Sequence, residues 1–224
     1  MTRCVRSRTV SYVLVLIALC SVALLQGCCG GTPYPFELYD EKTVIRSSSI
    51  AVVSADTSEL TVQLADYLTR ELKTRSTFKA LSQEEVARRL GRYPVMVKPG
   101  TPDNPDKPIW FAKGEKAKVD SLQAQLKTDY VFLVWTDNLR KITRTGQGGS
   151  SVTYSVDVYG NMVEYPKSRA IGYTSFARNQ SQTCCLFGKS EGDDIHEMVK
   201  AAAGSMADDL ISAAKAEKPG KPGK

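Results

Sequence analysis

The sequence predicts an α/β (α+β) domain in which helices pack on a mainly antiparallel sheet, in the order βαβα, proline-rich insertion, αβββα. Three observations support this prediction. Short apolar runs between turn residues indicate strands, leucines at every fourth residue indicate an amphipathic helix, and three successive strands near the end indicate a meander. The globular part, residues 44–214, is long enough for one hydrophobic core.

The globular part is expected to begin with a buried strand and an amphipathic helix. Residues 49–54 (SIAVVS) are mostly apolar and predict the strand. Asp56 and Glu59 have the spacing of a capping box, which would begin a helix that reaches about Thr74. Its apolar face is expected to pack in the core and carries Leu60, Leu64, Leu68 and Leu72.

A second strand and helix precede a long insertion. Residues 78–81 predict the strand, Ser82 and Glu85 form another capping box, and Gly91 is expected to end the helix. Residues 91–114 contain five prolines and no periodicity, so they predict an extended insertion. Its apolar cluster, Ile109-Trp110-Phe111, either contacts a partner or packs back on its own domain.

The second half predicts a helix followed by a meander. Residues 119–126 have the apolar spacing of a third helix. The continuous apolar run 130–135 predicts a central strand that is covered on both faces. Turns at 146–149 and 165–167 lead into two more strands, and the three strands together form an antiparallel meander.

A final helix and a basic tail complete the chain. Asp194 and Glu197 indicate the start of the helix. Its apolar face carries Ile195, Val199, Ala202, Met206 and Leu210. Residues 215–224 are expected to be a disordered tail, because they are rich in lysine, proline and glycine.

Residues 1–27 are predicted to be an export signal. Three arginines precede an apolar run over residues 10–25, which is 16 residues long and shorter than the roughly 20 that cross a membrane as a helix. The run ends in Leu25-Gln26-Gly27-Cys28, which resembles the lipobox of bacterial lipoproteins. The resemblance implies cleavage between Gly27 and Cys28, and a diacylglycerol and an N-acyl group such as palmitate on Cys28.

This lipid would anchor the protein to a membrane of the cell envelope. Two or three acyl chains hold a protein almost irreversibly. Since residue 29 is cysteine and not aspartate, the resemblance implies no inner-membrane retention signal. The periplasmic face of the outer membrane is therefore expected in a host with two membranes. Residues 28–43 are predicted to be a lipidated end and a tether without strand or helix, so that ordered structure begins near Val44.

Charge and cysteine content argue against several function classes. Removal of residues 1–27 deletes three arginines and lowers the formal charge from +6 to +3, which gives no reason to expect a nucleic-acid partner. Cys29, Cys184 and Cys185 remain, and a bridge from Cys29 to one of the pair, a vicinal disulfide and free thiols are all open. With one histidine, His196, we expect no metal, no cofactor and no catalytic residues.

A basic cluster lies near the tip of the first hairpin of the meander. It consists of Arg140, Lys141 and Arg144. Such a cluster either meets lipid phosphates or anionic wall polymers, or is a solvated hairpin end.

The element order resembles a group of envelope lipoproteins similar to the amino-terminal domain of TolB. The features that carry the resemblance are Ile50-Ala51-Val52-Val53, the 78–81 strand with Ser82, and the 130–135 strand before the meander. The group includes the lipoprotein activator of penicillin-binding proteins and the curli-secretion lipoprotein. The resemblance implies a non-enzymatic binding or assembly adaptor with an envelope protein partner. The alternative is a homo-oligomeric subunit of an envelope transport or secretion complex.

Overall fold

The computed structural model describes residues 31–40, 43–46, 48–100, 111–146, 149–166, 169–183 and 191–215. Within these residues six strands form one sheet, and four α-helices pack against it. The strands are β1 (Gly31–Leu38), β2 (Ser49–Ser54), β3 (Lys79–Ala80), β4 (Tyr130–Gly146), β5 (Gly149–Glu164) and β6 (Arg169–Thr183). The helices are α1 (Glu59–Arg75), α2 (Gln83–Leu90), α3 (Lys116–Leu126) and α4 (Glu191–Lys215). A short 3-10 helix, Lys113–Glu115, precedes α3.

The strand order in the sheet is β1-β6-β5-β4-β2-β3. The β1–β6, β6–β5 and β5–β4 pairs are antiparallel, whereas β2 runs parallel to both β4 and β3. This topology confirms the predicted α+β class, the mainly antiparallel sheet and the meander. Strand β4 continues eleven residues beyond the apolar run 130–135, since its last residue is Gly146.

Strand β1 contradicts the prediction of a tether without strand or helix over residues 28–43. Gly31–Leu38 pairs with β6, from Gly31 opposite Arg178 to Leu38 opposite Gly172. The prolines at 33 and 35 are tolerated because β1 is an edge strand, which needs hydrogen-bond donors on one side only. The expected start of order near Val44 is therefore wrong. Only Cys29 and Gly30 separate Cys28 from the sheet.

Helices cover both faces of the sheet and form two cores. On the first face, α1 and α4 pack around Phe132 of β4, and the apolar faces predicted for these helices are buried there. On the second face, α2, α3 and part of the insertion pack against Val131, Leu133 and Trp135 of β4. The residues of β4 therefore alternate between the two cores, as the pleat of a strand requires. None of the described helices is long and apolar enough to span a membrane.

Two glycines make room for aromatic rings on the first face. A Cβ atom on Gly160 would lie 2.4 Å from Cζ of Phe132, and one on Gly172 would lie 2.3 Å from Cζ of Phe36. The centroids of the two phenylalanine rings are 6.5 Å apart. Because such close approaches exclude any side chain, glycine at these positions lets the rings lie against the sheet.

The helix ends agree with the sequence in part. Ser82 caps α2 by accepting the Glu85 N–H at 3.2 Å, and Gly91 ends α2 in the left-handed conformation, as predicted. Helix α1 instead has Ser58 as its N-cap, because the Ser58 hydroxyl accepts from the Thr61 N–H. Asp56 lies two residues earlier and accepts from the Ser58 N–H at 2.7 Å. Helix α4 begins at Glu191, three residues before the predicted Asp194.

Candidate functional site

The first part of the insertion runs along the edge of the sheet beside β2. The Val95 N–H donates to the Ser54 carbonyl at 3.3 Å, and the Val97 N–H donates to the Ala55 carbonyl at 2.9 Å. Trp135 fixes this segment from the sheet, because its indole N–H donates to the Val97 carbonyl at 2.9 Å. Residues 95–97 thus continue the sheet edge without regular ladder pairing.

A polar network closes the same edge next to β3. The Gln83 amide donates to the Val52 carbonyl at 3.0 Å and to the Thr69 hydroxyl at 2.7 Å. The Tyr93 hydroxyl donates to the Gln83 side-chain oxygen at 2.6 Å and accepts the Ser54 N–H at 3.1 Å. Burial raises the pKa of Tyr93. The network satisfies strand groups that would otherwise template pairing with another chain.

Two clefts open on either side of this insertion segment and share Met96 and Val97 in their walls. The helix cleft lies between the insertion and α3 and has a volume of about 780 Å³. The sheet cleft lies between the insertion and strands β4 and β5 and has a volume of about 520 Å³. Met96 is 56% exposed and is therefore available to a molecule that enters either cleft. Both volumes are typical of ligand or side-chain binding sites.

The sheet cleft has an apolar floor and an acidic rim. Ala55, Val97 and Trp135 are buried and form part of its floor. Asp56 and Asp137 stand at the rim, where the Asp56 carboxylate also accepts from the Thr61 hydroxyl at 3.0 Å.

Tyr159 completes the wall of this cleft. Burial raises the pKa of Tyr159, and the nearby carboxylates of Asp157 and Asp137 raise it further. The phenol therefore stays protonated at neutral pH and can donate a hydrogen bond. Lys98 is the one cation among the residues described around this cleft. The arrangement suits a positively charged group that is carried on an apolar stem.

The position of the cleft follows from the topology. Asp56 lies two residues after the end of β2, and Asp137 lies two residues after the apolar run 130–135 of β4. Because β2 and β4 are parallel neighbours with Ser54 opposite Val134, Asp56 and Asp137 lie side by side beyond the carboxyl end of β2, and the carboxyl ends of parallel strands are where α/β sheets bind ligands. Sequence reasoning assigned Asp56 to a helix cap and overlooked Asp137. The shared signal was an aspartate two residues after each predicted strand, 49–54 and 130–135.

The residues singled out from the sequence are distributed over the molecule. Phe111 is buried in the second core, so it packs on its own domain. His196 is half-buried on α4, and the described residues contain no group of His, Cys, Asp and Glu that could hold a metal. Several other singled-out residues lie outside the described part of the chain: Gly27, Cys28, Cys29, Ile109, Trp110, Cys184 and Cys185.

Comparisons with known proteins found weak similarities among solved structures. No family model and no curated protein matches the chain. The PelC dodecamer from Paraburkholderia phytofirmans matches with 9% identity and a TM-score of 0.42, over 82% of this chain and 97% of PelC. The lipoprotein GNA1162 from Neisseria meningitidis matches with 13% identity and a TM-score of 0.39, over 72% of this chain and 99% of that one. A minor lipoprotein from Acinetobacter baumannii matches with 13% identity and a TM-score of 0.39, over 76% and 94% of the two chains. These values do not assign the chain to a family.

Proposed function

We propose that this protein is a lipoprotein of the bacterial cell envelope and that its domain is a non-enzymatic, periplasm-facing adaptor for another envelope protein. The observation that carries the proposal is Leu25-Gln26-Gly27-Cys28 directly behind a basic and apolar export signal. Lipid on Cys28 holds the domain at the membrane, and in a host with two membranes that membrane is the outer one. The domain then recruits its partner without having to bind lipid strongly itself.

Lipid labelling tests the anchor. Cells that express the wild-type chain are fed a palmitate analogue, and Cys28→Ser is expected to abolish the label and leave an uncleaved precursor. Cys29→Ser is the matched control and should keep the label, because the neighbouring cysteine does not follow Gly27. Label on the Cys28→Ser chain would refute the anchor.

The sheet cleft is the proposed contact with the partner. Its apolar floor and acidic rim fit a lysine or arginine side chain of another protein, since such side chains bury an apolar stem and keep a charged head at the surface. The exposed thioether of Met96 adds an adaptable apolar contact at the mouth of the cleft. The partner is thus expected to present a basic side chain next to an apolar one.

Site-specific crosslinking in native envelopes tests this contact. Met96 is replaced by a photoreactive phenylalanine analogue, and one discrete protein is expected to be captured. The control carries the same analogue at Arg70, whose side chain is 69% exposed on helix α1, away from the clefts. Equal capture at both positions, or capture that survives Asp56→Asn with Asp137→Asn, would contradict the assignment.

The alternative is an oligomeric subunit of an envelope transport or secretion complex that assembles through sheet edges or the insertion, and assembly through the sheet edges has less support. Strand β1 carries two prolines, and the other edge is a two-residue strand followed by the network of Gln83 and Tyr93. These two features oppose strand addition along β1 and beside β3. The detergent-extracted protein is therefore expected to elute as a monomer or with one partner, and a large ring would overturn the adaptor proposal.

A further inference from the structure

Three strands of the meander extend well beyond β1. Gly31, the first residue of β1, lies opposite Arg178, which in turn lies opposite Val156 of β5. From that level β5 continues back to Gly149, seven residues further, or roughly 23 Å at 3.3 Å per residue. We call the part beyond this level the ribbon, and it consists of residues 139–146, 149–155 and 179–183.

The chain that precedes β1 enters the sheet from the ribbon side. Because β1 is antiparallel to β6, the chain before Gly31 leaves the sheet in the direction in which β6 runs toward Thr183. Three residues span at most about 10 Å. A lipid on Cys28 would therefore hold the membrane surface within about 10 Å of Gly31. The ribbon extends roughly 23 Å from the level of Gly31 in the same direction. This step rests on the proposed lipidation.

The ribbon end carries positive charge and no negative charge. Residues 138–156 contain Arg140, Lys141 and Arg144 but neither aspartate nor glutamate, and residues 179–183 contain no acidic residue. The side chains of the three named cations are exposed. Arg140 and Arg144 form no ion pair with any residue that the structure describes. Their charge is available to an external anion.

Apolar side chains alternate with these cations. Ile142 is 46% exposed between Arg140 and Arg144, and the alternation of a strand places all three on one face. Leu139 is 49% exposed at the start of the ribbon. On the other face the Lys141 ammonium lies 5.7 Å from the centroid of the Tyr154 ring. Cations beside exposed aliphatic side chains are typical of protein surfaces that lie in a lipid headgroup region.

We propose that the ribbon binds the anionic lipid surface to which Cys28 is attached. Arg140 and Arg144 contact lipid phosphates, and Ile142 enters the interface between headgroups and acyl chains. The short link from Cys28 keeps the ribbon at a high effective concentration near this surface. The lipid and the ribbon together fix the orientation of the sheet relative to the membrane. They therefore also fix the orientation of the two clefts.

Vesicle co-sedimentation tests the ribbon without the lipid. Residues 28–224 carrying Cys28→Ser are mixed with vesicles of phosphatidylglycerol and phosphatidylcholine, or of phosphatidylcholine alone. Binding to the anionic vesicles is expected and should weaken in high salt. Replacing Arg140, Lys141 and Arg144 by glutamine is expected to weaken binding roughly 100-fold, since each cation near such a surface contributes about fivefold.

A second triple variant is the matched control. Arg46, Lys73 and Lys79 are exposed and lie at the opposite end of the sheet or of α1. Their replacement by glutamine lowers the net charge by the same three units. Vesicle binding should stay within about twofold of the starting chain, because these three cations lie away from the ribbon. Both triple variants should unfold at the same temperature as the starting chain.

The two experiments distinguish lipid binding by the ribbon from lipidation of Cys28. Equal binding by the two triple variants, or no binding to anionic vesicles, overturns the ribbon proposal even if palmitate labelling confirms Cys28. Binding to an anionic wall polymer in place of vesicles overturns it as well. Ribbon-dependent vesicle binding without palmitate labelling of the wild-type chain supports the ribbon and refutes the anchor.

Discussion

The two halves of strand β4 differ in how far the helices cover them. In the half that begins at Tyr130, β4 is buried on both faces by four helices, and Phe132, Leu133 and Val134 are fully buried. In the ribbon half, the same strand exposes Leu139 and Ile142 and three cations. The hydrogen-bond ladder between β4 and β5 runs through both halves, interrupted only by the bulge between Asp137 and Arg140. Strand pairing alone therefore does not bury side chains. The half of β4 that the helices cover contributes most of the packing that stabilises the fold.

Truncation of Phe132, in the buried half of β4, should lower the free energy of unfolding most. Phe132→Ala removes a fully buried ring from the first core and is expected to lower the free energy of unfolding by about 3–5 kcal/mol. Urea denaturation followed by circular dichroism measures the change. A loss below about 1 kcal/mol would mean that the buried half is less tightly packed than its burial indicates.

Filling the space under that ring should have the next largest effect. In Gly160→Ala the new methyl group would meet Phe132 at 2.4 Å, so the ring must move. Overpacking of this kind costs about 1–3 kcal/mol. The substitution is compared by thermal unfolding with Gly114→Ala, since a Cβ atom on Gly114 has nothing within 4 Å. Similar melting temperatures would contradict the close packing of ring on sheet.

Loss of the hydrogen-bond network of Gln83 and Tyr93 should lower the free energy of unfolding by an intermediate amount. Gln83→Ala leaves the Val52 carbonyl without its donor and removes the acceptor of the Tyr93 hydroxyl, which keeps only its bond from the Ser54 N–H, and is expected to cost about 1–3 kcal/mol. Gln125→Ala is the control, because Gln125 bonds only to the exposed Ser121. Chemical denaturation of both variants tests whether the insertion side of the sheet depends on this network, and equal losses would argue against it.

Asp209 on α4 should show a smaller effect that depends on pH. Burial raises the pKa of Asp209, and its Oδ2 atom is buried without a hydrogen-bond partner in the described structure. A raised pKa in the folded state means that ionisation costs stability, and this cost appears as pH rises through the folded pKa. Asp209→Asn is therefore expected to stabilise the protein at pH 7, by less than about 1 kcal/mol given the partial exposure, with no gain below pH 3.8. Melting temperatures at pH 3 and pH 7 check the sign, and an equal gain at both pH values would rule out the charge as its cause.

A ribbon substitution should have the smallest effect on stability. Ile142→Ser removes a half-exposed side chain that belongs to neither core and is expected to change the free energy of unfolding by no more than about 0.5 kcal/mol. A loss comparable to that of Phe132→Ala would remove the distinction between the two halves.

Local patterns in the sequence predicted most elements of the fold. The apolar run 130–135, the leucine face of α1 and the Ser82 and Gly91 signals all depend on neighbours along the chain, and the structure confirms them. Strand β1 escaped prediction because its prolines argue against a strand, and only its pairing with β6 makes it one. The length of the ribbon was not predicted for a related reason. Its residues are mostly polar, and such residues continue a strand only where a neighbouring strand pairs with them.

The sequence by itself determined the proposed export signal and lipobox, the fold class and the two amphipathic helices that cover the first face. These features are encoded by charge, hydropathy and spacing over short stretches of chain. Only the tertiary structure brought Asp56 and Asp137 to one cleft, buried Phe111 and placed Gly31 at the ribbon end of the sheet. Those relations depend on which strands pair and in which register, and residues far apart in the chain decide that together.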